Sequence, residues 1–390
     1  MIYLDNNATT ALDPEVLEAM MPYMTSVYGN ASSTQHAMGR DAAEAIENAR
    51  TAVAESLGCM PGEIFFNSGA TEGINTTIKG IYANYQSKGR HIITTQTEHQ
   101  AVLSVCYELE KLGAEVTYLP VNSQGEISLD ELKQAIRPDT ILVCIMAANN
   151  ETGLIYPLSA IAEVVQEAGS LFFCDATQLI GKQDLDLQEI PIDILCMSAH
   201  KIHGPKGVGA LFVRRKSRPV QIRGLIDGGQ QEGGFRAGTY NVAGIVGLGA
   251  AIKLSSLEDS QRMLTNRLAF EKAIKEHISD ITINCEDLSR LPGTVNVTFK
   301  YTRASEIMVH TPDLALSTGS ACVTGSRDPS HVLKAMGLED EDCFSTLRVS
   351  LSKFTTDVEI KQAAELLKEG VEQVRKESPL YKMYKEGLLD

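Results

Sequence analysis

Short apolar runs of strand length alternate with helical patterns over the first 250 residues, and this alternation constrains the fold more than any other feature. Seven runs predict strands, at residues 63–67, 91–95, 115–119, 140–146, 171–174, 192–197 and 209–213. Between them, helical patterns cover residues 42–58, 71–87, 100–112, 128–136 and 158–168. Strands joined through helices form parallel sheets with helices on both faces. The sequence therefore predicts an α/β fold with a mainly parallel central sheet covered by helices.

The pattern changes after about residue 250. Helices are predicted near residues 257–278 and 357–377, around short strands near 294–299 and 346–350. This arrangement is typical of a smaller α+β domain. The first dozen residues carry a short strand-like segment before Asp13-Pro14, and we expect them to pack on that domain. We predict a large α/β domain at residues 14–255 and a smaller α+β domain formed by residues 1–13 and 256–390.

Composition and charge exclude several classes of protein. The 390 residues carry a formal net charge of -15, which argues against nonspecific binding of nucleic acid or of an anionic membrane. No apolar stretch approaches the ~18 residues that span a bilayer, and the first residues do not resemble a signal peptide. The eight cysteines form no CxxC pair, so neither a zinc site nor a disulfide framework is indicated. We expect a cytoplasmic protein without a resident metal.

One cysteine, Cys322, differs from the others in its surroundings. It lies in the run STGSACVTGS at residues 317–326, whereas most of the other cysteines lie in apolar runs such as LFFCDA. Small polar residues on both sides predict an exposed loop with room for a ligand or a partner. The thiol is either a reactive group or an incidental surface cysteine, and its local sequence leaves both readings open.

Polar residues follow five of the predicted strands, at the edge where ligands of open α/β sheets bind. The groups are Ser68-Gly-Ala70-Thr71, His99, Asn149-Asn150, Asp175 with Gln178, and Ser198-Ala-His200-Lys201. Each has an ordinary reading as a helix cap, a turn or a surface charge. Together, however, a phosphate cradle at a helix start, a buried carboxylate and a lysine meet the requirements for pyridoxal phosphate.

The same motifs resemble the cysteine desulfurases of the NifS/IscS type, which are class-V aminotransferases of the pyridoxal-phosphate fold type I. The matching segments run almost end to end. They include YLDNNATT at 3–10, SGATEGIN at 68–75, TEHQAV at 97–102, DATQLIGK at 175–182, SAHKIHGPKGVGAL at 198–211, STGSAC at 317–322 and PSHVLKAMG at 329–337. The SAHK–GPKG and GSAC–PSHVL blocks together make the resemblance specific. The chain departs from the usual pattern at Ala31 and Ser352, where the family has Pro and Gly.

The resemblance implies a role for each matching residue. Lys201 is similar to the lysine that holds the cofactor covalently, His99 to the histidine that stacks on its ring and moves protons, and Cys322 to the cysteine that accepts sulfur. The other implied contacts are Ala70, Thr71, Ser198 and His200 with the phosphate, Asp175 with the pyridinium nitrogen, Gln178 with the phenolic oxygen, Asn149 with cofactor and substrate, Arg348 with the substrate carboxylate, and Thr239 with the phosphate in the neighbouring subunit.

The implied activity is removal of sulfur from L-cysteine to give L-alanine and a Cys322 persulfide. The resemblance also implies a homodimer with shared active sites and a protein acceptor for the sulfur, such as an iron–sulfur scaffold. Cys322 could transiently bind a nascent cluster. Alternative functions are sulfur donation for tRNA thiolation or DNA phosphorothioation, a selenocysteine lyase, an aminotransferase and a cofactor-free scaffold. The segment at 377–385 is either a docking element or a frayed end.

Overall fold

The computed structural model of the protein describes residues 1–216, 218–318 and 328–388, and its centre is a seven-stranded sheet. In chain order, the first strand, β1 (Ile2–Tyr3), lies outside this sheet, and the seven strands of the sheet are β2 (Ile64–Asn67), β3 (His91–Thr95), β4 (Glu115–Leu119), β5 (Thr140–Cys144), β6 (Leu171–Asp175), β7 (Ile194–Ser198) and β8 (Gly209–Val213). Their order across the sheet is β2-β8-β7-β6-β5-β3-β4. The predicted fold class and all seven predicted strands are confirmed, with ends that differ by no more than two residues.

The sheet is parallel except at one strand. Strands β4, β3, β5, β6 and β7 pair in parallel, whereas β8 runs antiparallel to both β7 and β2. Every residue of β3 and of β5 to β8 is buried, as expected for strands covered on both faces. Successive side chains point to opposite faces: Phe172 and Cys174 belong to one hydrophobic cluster and Phe173 to another.

Helices cover both faces of this sheet. Those of the first 255 residues are α1 (Pro14–Thr25), α2 (Ala37–Ser56), α3 (Ala70–Tyr85), α4 (Gln100–Glu110), α5 (Leu129–Ala135), α6 (Leu158–Glu167) and α7 (Val242–Lys253). One hydrophobic cluster joins the sheet to α1, α2, α6 and α7, and the other joins it to α3 and α4. In the ranges that the structure describes, no helix has the combined length and apolar character needed to cross a membrane.

The remaining elements form two small sheets, together with β1, and the helices around them. They are α8 (Leu257–His277), β9 (Ile281–Ile283), β10 (Thr294–Phe299), α9 (Ala304–His310), β11 (Leu314–Ala315), α10 (His331–Ala335), α11 (Asp340–Phe344), β12 (Thr346–Ser350), α12 (Asp357–Glu377) and α13 (Pro379–Lys385). Strands β12, β10 and β9 form an antiparallel sheet, and β1 pairs in parallel with β11. Ile2 and Leu4 lie in the hydrophobic cluster of this region. The domain limits at residues 13 and 255 stay a prediction.

A buried ion pair fixes α2 to the segment before α7. The Arg50 guanidinium donates to both carboxylate oxygens of Glu232, at 2.9 and 2.8 Å, and the backbone N–H of Phe66 also donates to Glu232. The two side chains are only 9% and 1% exposed. Arg50 also contacts the exposed Glu47 carboxylate and the Ile64 carbonyl, but Glu232 has Arg50 as its ion-pair partner in the part of the chain that the structure describes.

We expect the substitution Arg50→Met to lower the free energy of unfolding by about 3–5 kcal/mol, because it leaves a buried carboxylate without its partner. Urea denaturation of the protein, followed by circular dichroism, measures the change. The matched control is Lys111→Met, which breaks an ion pair whose side chains are 52% and 58% exposed and should cost less than about 1 kcal/mol. Equal losses for the two variants would contradict the expectation.

Candidate active site

A cavity of about 570 Å³ lies at the C-terminal ends of the parallel strands. Its walls come from the residues that follow β2, β3, β5, β6 and β7, and from the smaller region through β12. Nine of the twelve residues predicted for the site line it, namely Ala70, Thr71, His99, Asp175, Gln178, Ser198, His200, Lys201 and Arg348. The structure thus brings together residues that lie up to 278 positions apart in the sequence.

The start of α3 forms an anion cradle in this cavity. Gly69 precedes the helix with a φ of 144°, a backbone conformation that favours glycine. The first N–H groups of α3 have no acceptor within the helix, and a helix start attracts negative charge. Gly209 on β8 allows the close approach, because a Cβ there would meet the Gly69 Cα at 2.7 Å. The arrangement suits a phosphate group near Ala70 and Thr71.

Lys201 lies in a short 3-10 turn, Ala199–Lys201, directly after β7. Its Nζ donates to the carbonyl oxygens of Asn7 and Ala8, at 2.5 and 2.8 Å. The neighbouring His200 ring contacts the Thr9 hydroxyl through Nδ1. Burial, together with the charge of Lys201, lowers the pKa of His200 to about 4. His200 is therefore a neutral hydrogen-bonding group at neutral pH.

His99 caps the start of α4. Its Nδ1 accepts a hydrogen bond from the backbone N–H of Ala101 at 3.1 Å. Burial lowers the pKa of His99, and the positive charge of Lys201 lowers it further, while Asp175 opposes the change. The ring is thus neutral at physiological pH, and with Nδ1 as acceptor it carries its proton on Nε2. In this arrangement Nε2 can donate a proton, and it can accept one only after its own has left.

Asp175 ends β6, and Gln178 follows it in a turn. The Asp175 carboxylate accepts the backbone N–H of Thr177 at 3.0 Å. The Gln178 amide nitrogen donates to the Asn7 carbonyl at 3.0 Å, and its oxygen accepts from Lys182 at 3.1 Å. Both side chains are almost fully buried. A carboxylate and an amide therefore enter the cavity from one turn, with fixed orientations.

Arg348 reaches the cavity from β12. Its guanidinium donates to the Asn150 carbonyl at 3.0 Å and to the Asp5 carboxylate at 2.6 Å. The residue is 3% exposed, and its Nε has no hydrogen-bond partner among the residues that the structure describes. Buried donors are normally satisfied, and a guanidinium suits a carboxylate or a phosphate. Arg348 is therefore placed and oriented to bind an anionic ligand.

Three predicted residues do not line the cavity. Asn149 is buried and builds a turn, since its amide oxygen accepts the N–H groups of Glu151 and Thr152 and its nitrogen donates to the Thr97 carbonyl. Its predicted contact with cofactor and substrate stays untested. Thr239 lines an adjoining pocket of about 150 Å³, which shares Ser68 and Gly207 with the main cavity. Cys322 lies outside the described residues.

The sequence analysis missed two groups at this site. One is the backbone of residues 7–9, which lines the cavity and supplies the carbonyls that hold Lys201. The other is Glu98, which accepts the Met146 N–H through Oε1 and has no partner for Oε2 among the described residues. Burial, with the negative charge of Asp175, raises the pKa of Glu98 well above its usual range. A glutamate three residues after a buried strand is the signal for Glu98 in the sequence.

The residues of the cavity fit pyridoxal phosphate. The helix start suits its phosphate, the Asp175 carboxylate suits a protonated ring nitrogen, and the Lys201 amine suits its aldehyde. The guanidinium of Arg348, which also lines the cavity, suits the carboxylate of an amino acid. Helix capping or turn formation explains each of these groups by itself, but only binding of the cofactor explains why they meet in one cavity.

The fold and the cavity together define a pyridoxal-phosphate-dependent enzyme built on a mainly parallel α/β sheet. The family model for class-V aminotransferases matches residues 2–363, and the chain belongs to that family. It is 46% identical to the cysteine desulfurase IscS of Anaeromyxobacter dehalogenans over 390 residues, which cover 99% of this chain and 96% of the relative.

Solved structures are similar over nearly the whole chain as well. A NifS-like protein matches with a TM-score of 0.89 and 37% identity, covering 95% of this chain and 99% of its own. A structure described as SspA in complex with cysteine matches with a TM-score of 0.82 and 38% identity, covering 91% of this chain and all of its own. The predicted family resemblance is confirmed by these likenesses.

Proposed function

We propose that this protein is a cysteine desulfurase that converts L-cysteine into L-alanine and retains the sulfur as a persulfide on Cys322. The observation that carries the proposal is one cavity in which Lys201, Asp175, the start of α3 and Arg348 converge. The full-length similarity to a cysteine desulfurase, and to a structure described as containing cysteine, supports the same activity.

Five parts of the cavity would hold the cofactor. Lys201 would bind it covalently, Asp175 would face its ring nitrogen, and the phosphate would lie at Ala70 and Thr71 with Ser198 and His200 beside it. Bound pyridoxal phosphate supplies an electron sink for the negative charge that develops at the substrate Cα. The protein supplies orientation, because backbone groups hold Lys201 and Asp175 and the Thr9 hydroxyl holds His200.

Substrate binding and proton transfer are assigned to three side chains. Arg348 would bind the substrate carboxylate through its guanidinium, since the residue lines the cavity. Lys201 would take the Cα proton, and the position of the residue in the cavity wall supports this role. His99 would donate from Nε2 and then take up a proton there, which makes it a shuttle rather than a simple base.

Sulfur transfer requires a thiolate. Burial raises the pKa of all seven described cysteines, to about 11 at Cys285 and Cys343 and to about 12 at Cys59 and Cys106. They are therefore protonated at neutral pH and are poor nucleophiles. Cys322 is the remaining cysteine, which makes it the candidate to attack the substrate sulfur. In that step the Cβ–Sγ bond of the substrate breaks, and an S–S bond forms at Cys322. Alanine results after a proton is added at Cβ and the proton taken from Cα is returned.

The two ends of the segment that contains Cys322 support its assignment. Ser317 exchanges two backbone hydrogen bonds with Arg348, at 3.3 and 2.6 Å. Ser330 donates to the buried Glu151 carboxylate at 2.6 Å, and the His331 Nε2 lies 2.9 Å from the Glu98 carbonyl. Cys322 is five residues beyond Ser317, and five residues span at most about 18 Å. This separation in sequence would allow the thiol to reach the cavity.

A homodimer, a protein acceptor such as an iron–sulfur scaffold, and a cytoplasmic location stay part of the proposal. The position of Thr239 supports a shared site, since its pocket adjoins the cradle through Ser68 and Gly207. A second subunit that places its own Thr239 near the cradle would complete the phosphate site. The acidic character of the chain supports a protein acceptor rather than a nucleic acid.

The activity is tested with enzyme reconstituted with pyridoxal phosphate and supplied with L-cysteine and a reductant. We expect a visible absorbance band from the bound cofactor and equal amounts of alanine and sulfide, without any 2-oxo acid. Alanine that forms only with a 2-oxo acid would favour an aminotransferase. Activity on selenocysteine alone would favour a lyase, and the absence of a visible band would favour a cofactor-free scaffold. Each of these three results would contradict the proposal.

A further inference from the structure

A second lysine, Lys182, lies next to the cofactor-binding groups. It ends the turn that starts at Asp175, and its Nζ donates to the Gln178 side-chain oxygen at 3.1 Å. It also lines a small cavity of about 30 Å³, which Lys201 lines as well. The two amines therefore approach one region of the protein from the turn after β6 and from the turn after β7.

The contact with Lys182 determines which end of the Gln178 amide faces which partner. The amide nitrogen donates to the Asn7 carbonyl, and the amide oxygen accepts from Lys182. Turning the amide over would direct its oxygen at a carbonyl oxygen, and it would leave the ammonium form of Lys182 without an acceptor. The orientation with the nitrogen toward Asn7 is thus selected by two partners. The nitrogen keeps a second N–H that is not used by Asn7.

The surroundings of Lys182 are strongly positive. The residue as a whole is partly exposed, but its amine lies against Gln178. Desolvation lowers the pKa of Lys182 to about 7, and the positive charges of Lys201 and Arg348 lower it further. The other charged or titratable groups that line the small cavity are His203, Asp259 and Lys353. Lys182 is a hydrogen-bond donor in both of its protonation states, so its contact with Gln178 survives on either side of neutral pH.

We propose that Lys182 is a positioning residue, which holds the Gln178 amide so that its N–H group faces the phenolic oxygen of bound pyridoxal phosphate. The proposal rests on the proposed function, because the contact between Gln178 and the cofactor belongs to it. A donor to the phenolic oxygen stabilises the negative charge on that oxygen. Lys182 thereby acts on the cofactor through Gln178 and without touching it.

The test is a pH titration of the visible absorbance of the reconstituted enzyme, with and without Lys182. We expect Lys182→Met to raise the titration midpoint by about 0.5–1 pH unit, the size expected when one hydrogen bond to the anionic form is lost. Lys206→Met is the matched control, since Lys206 is exposed, lines the main cavity and has no role in orienting Gln178. Its midpoint should change clearly less, because solvent screens an exposed charge.

A double-mutant comparison separates positioning from a simple loss of positive charge. In a Gln178→Leu background, Lys182→Met should leave the midpoint nearly unchanged, because the residue through which it acts is missing. A shift as large as in the wild-type background would overturn the proposal, as would an unchanged midpoint in the single variant. If Lys182→Met does not fold, Lys182→Ala carries the same expectation. An enzyme without any visible band would instead contradict the proposed function itself.

Discussion

The substitution Cys322→Ser is expected to reduce sulfide and alanine production from L-cysteine to the background level, while the visible absorbance of the bound cofactor stays unchanged. Serine has nearly the same shape but no accessible anionic form at neutral pH, so it cannot take the substrate sulfur. None of the seven described cysteines can replace it, since burial raises the pKa of each. Sulfide is measured colorimetrically and alanine by mass spectrometry.

Cys59→Ser is the matched control for this experiment. Cys59 is the most exposed of the described cysteines, yet burial and the charge of Glu63 raise its pKa to about 12. Its replacement should leave sulfide production within a factor of about two, because it is a protonated thiol far from any assigned role. Full production from Cys322→Ser, or a complete loss in Cys59→Ser, would show that the sulfur acceptor has been assigned to the wrong cysteine.

The second large effect is expected for Lys201→Ala. The variant loses both the covalent link to the cofactor and the amine that moves the Cα proton, and a positioned proton-transfer group alone contributes about 10²–10⁴-fold in rate. We therefore expect kcat to fall by at least about a thousandfold. Borohydride treatment of the wild-type enzyme, followed by peptide mapping, should find the reduced cofactor on Lys201.

Lys206→Met serves again as the control, since Lys206 lies five residues beyond Lys201 on the exposed rim of the same cavity. It should keep the covalently bound cofactor and most of the activity. If peptide mapping of the wild-type enzyme found the reduced cofactor on Lys206 or Lys182, the role of Lys201 would be disproved. Near-normal turnover of Lys201→Ala would lead to the same conclusion.

Most of the fold could be predicted because its strands are short buried runs separated by amphipathic helices. The direction of β8 was not specified, because its residues, GALFV, have the same apolar character as those of its parallel neighbours. The length of the connection between β7 and β8 nevertheless indicates the antiparallel direction of β8. Only ten residues separate Ser198 from Gly209, and a crossover between parallel strands needs a dozen or more.

Much of the candidate site could be predicted for a similar reason, since polar groups at strand ends converge wherever parallel strands lie side by side. The contribution of residues 7 and 8 could not be predicted, because they contact Lys201 through backbone carbonyls, which leave no trace in side-chain patterns.

Asn149 presents a different difficulty, because its side chain is visible in the sequence but has two possible roles. An Asn that builds a turn and an Asn that binds a ligand look alike in sequence. The hydrogen bonds to residues 151 and 152 show that Asn149 builds a turn, and its contact with cofactor and substrate stays a prediction.

The N-terminal segment has a consequence for the order in which the protein is made. Asp5 binds Arg348, which lies 343 residues away, and Asn6 binds the Ser350 carbonyl at a separation of 344. Residues 7 and 8 meet Lys201 about 194 residues later. During synthesis residues 7 and 8 must wait for Lys201, and Asp5 and Asn6 remain without these partners until residue 350 has left the ribosome. The large sheet can form earlier, and the cavity that binds the cofactor is therefore among the last parts of the molecule to be completed.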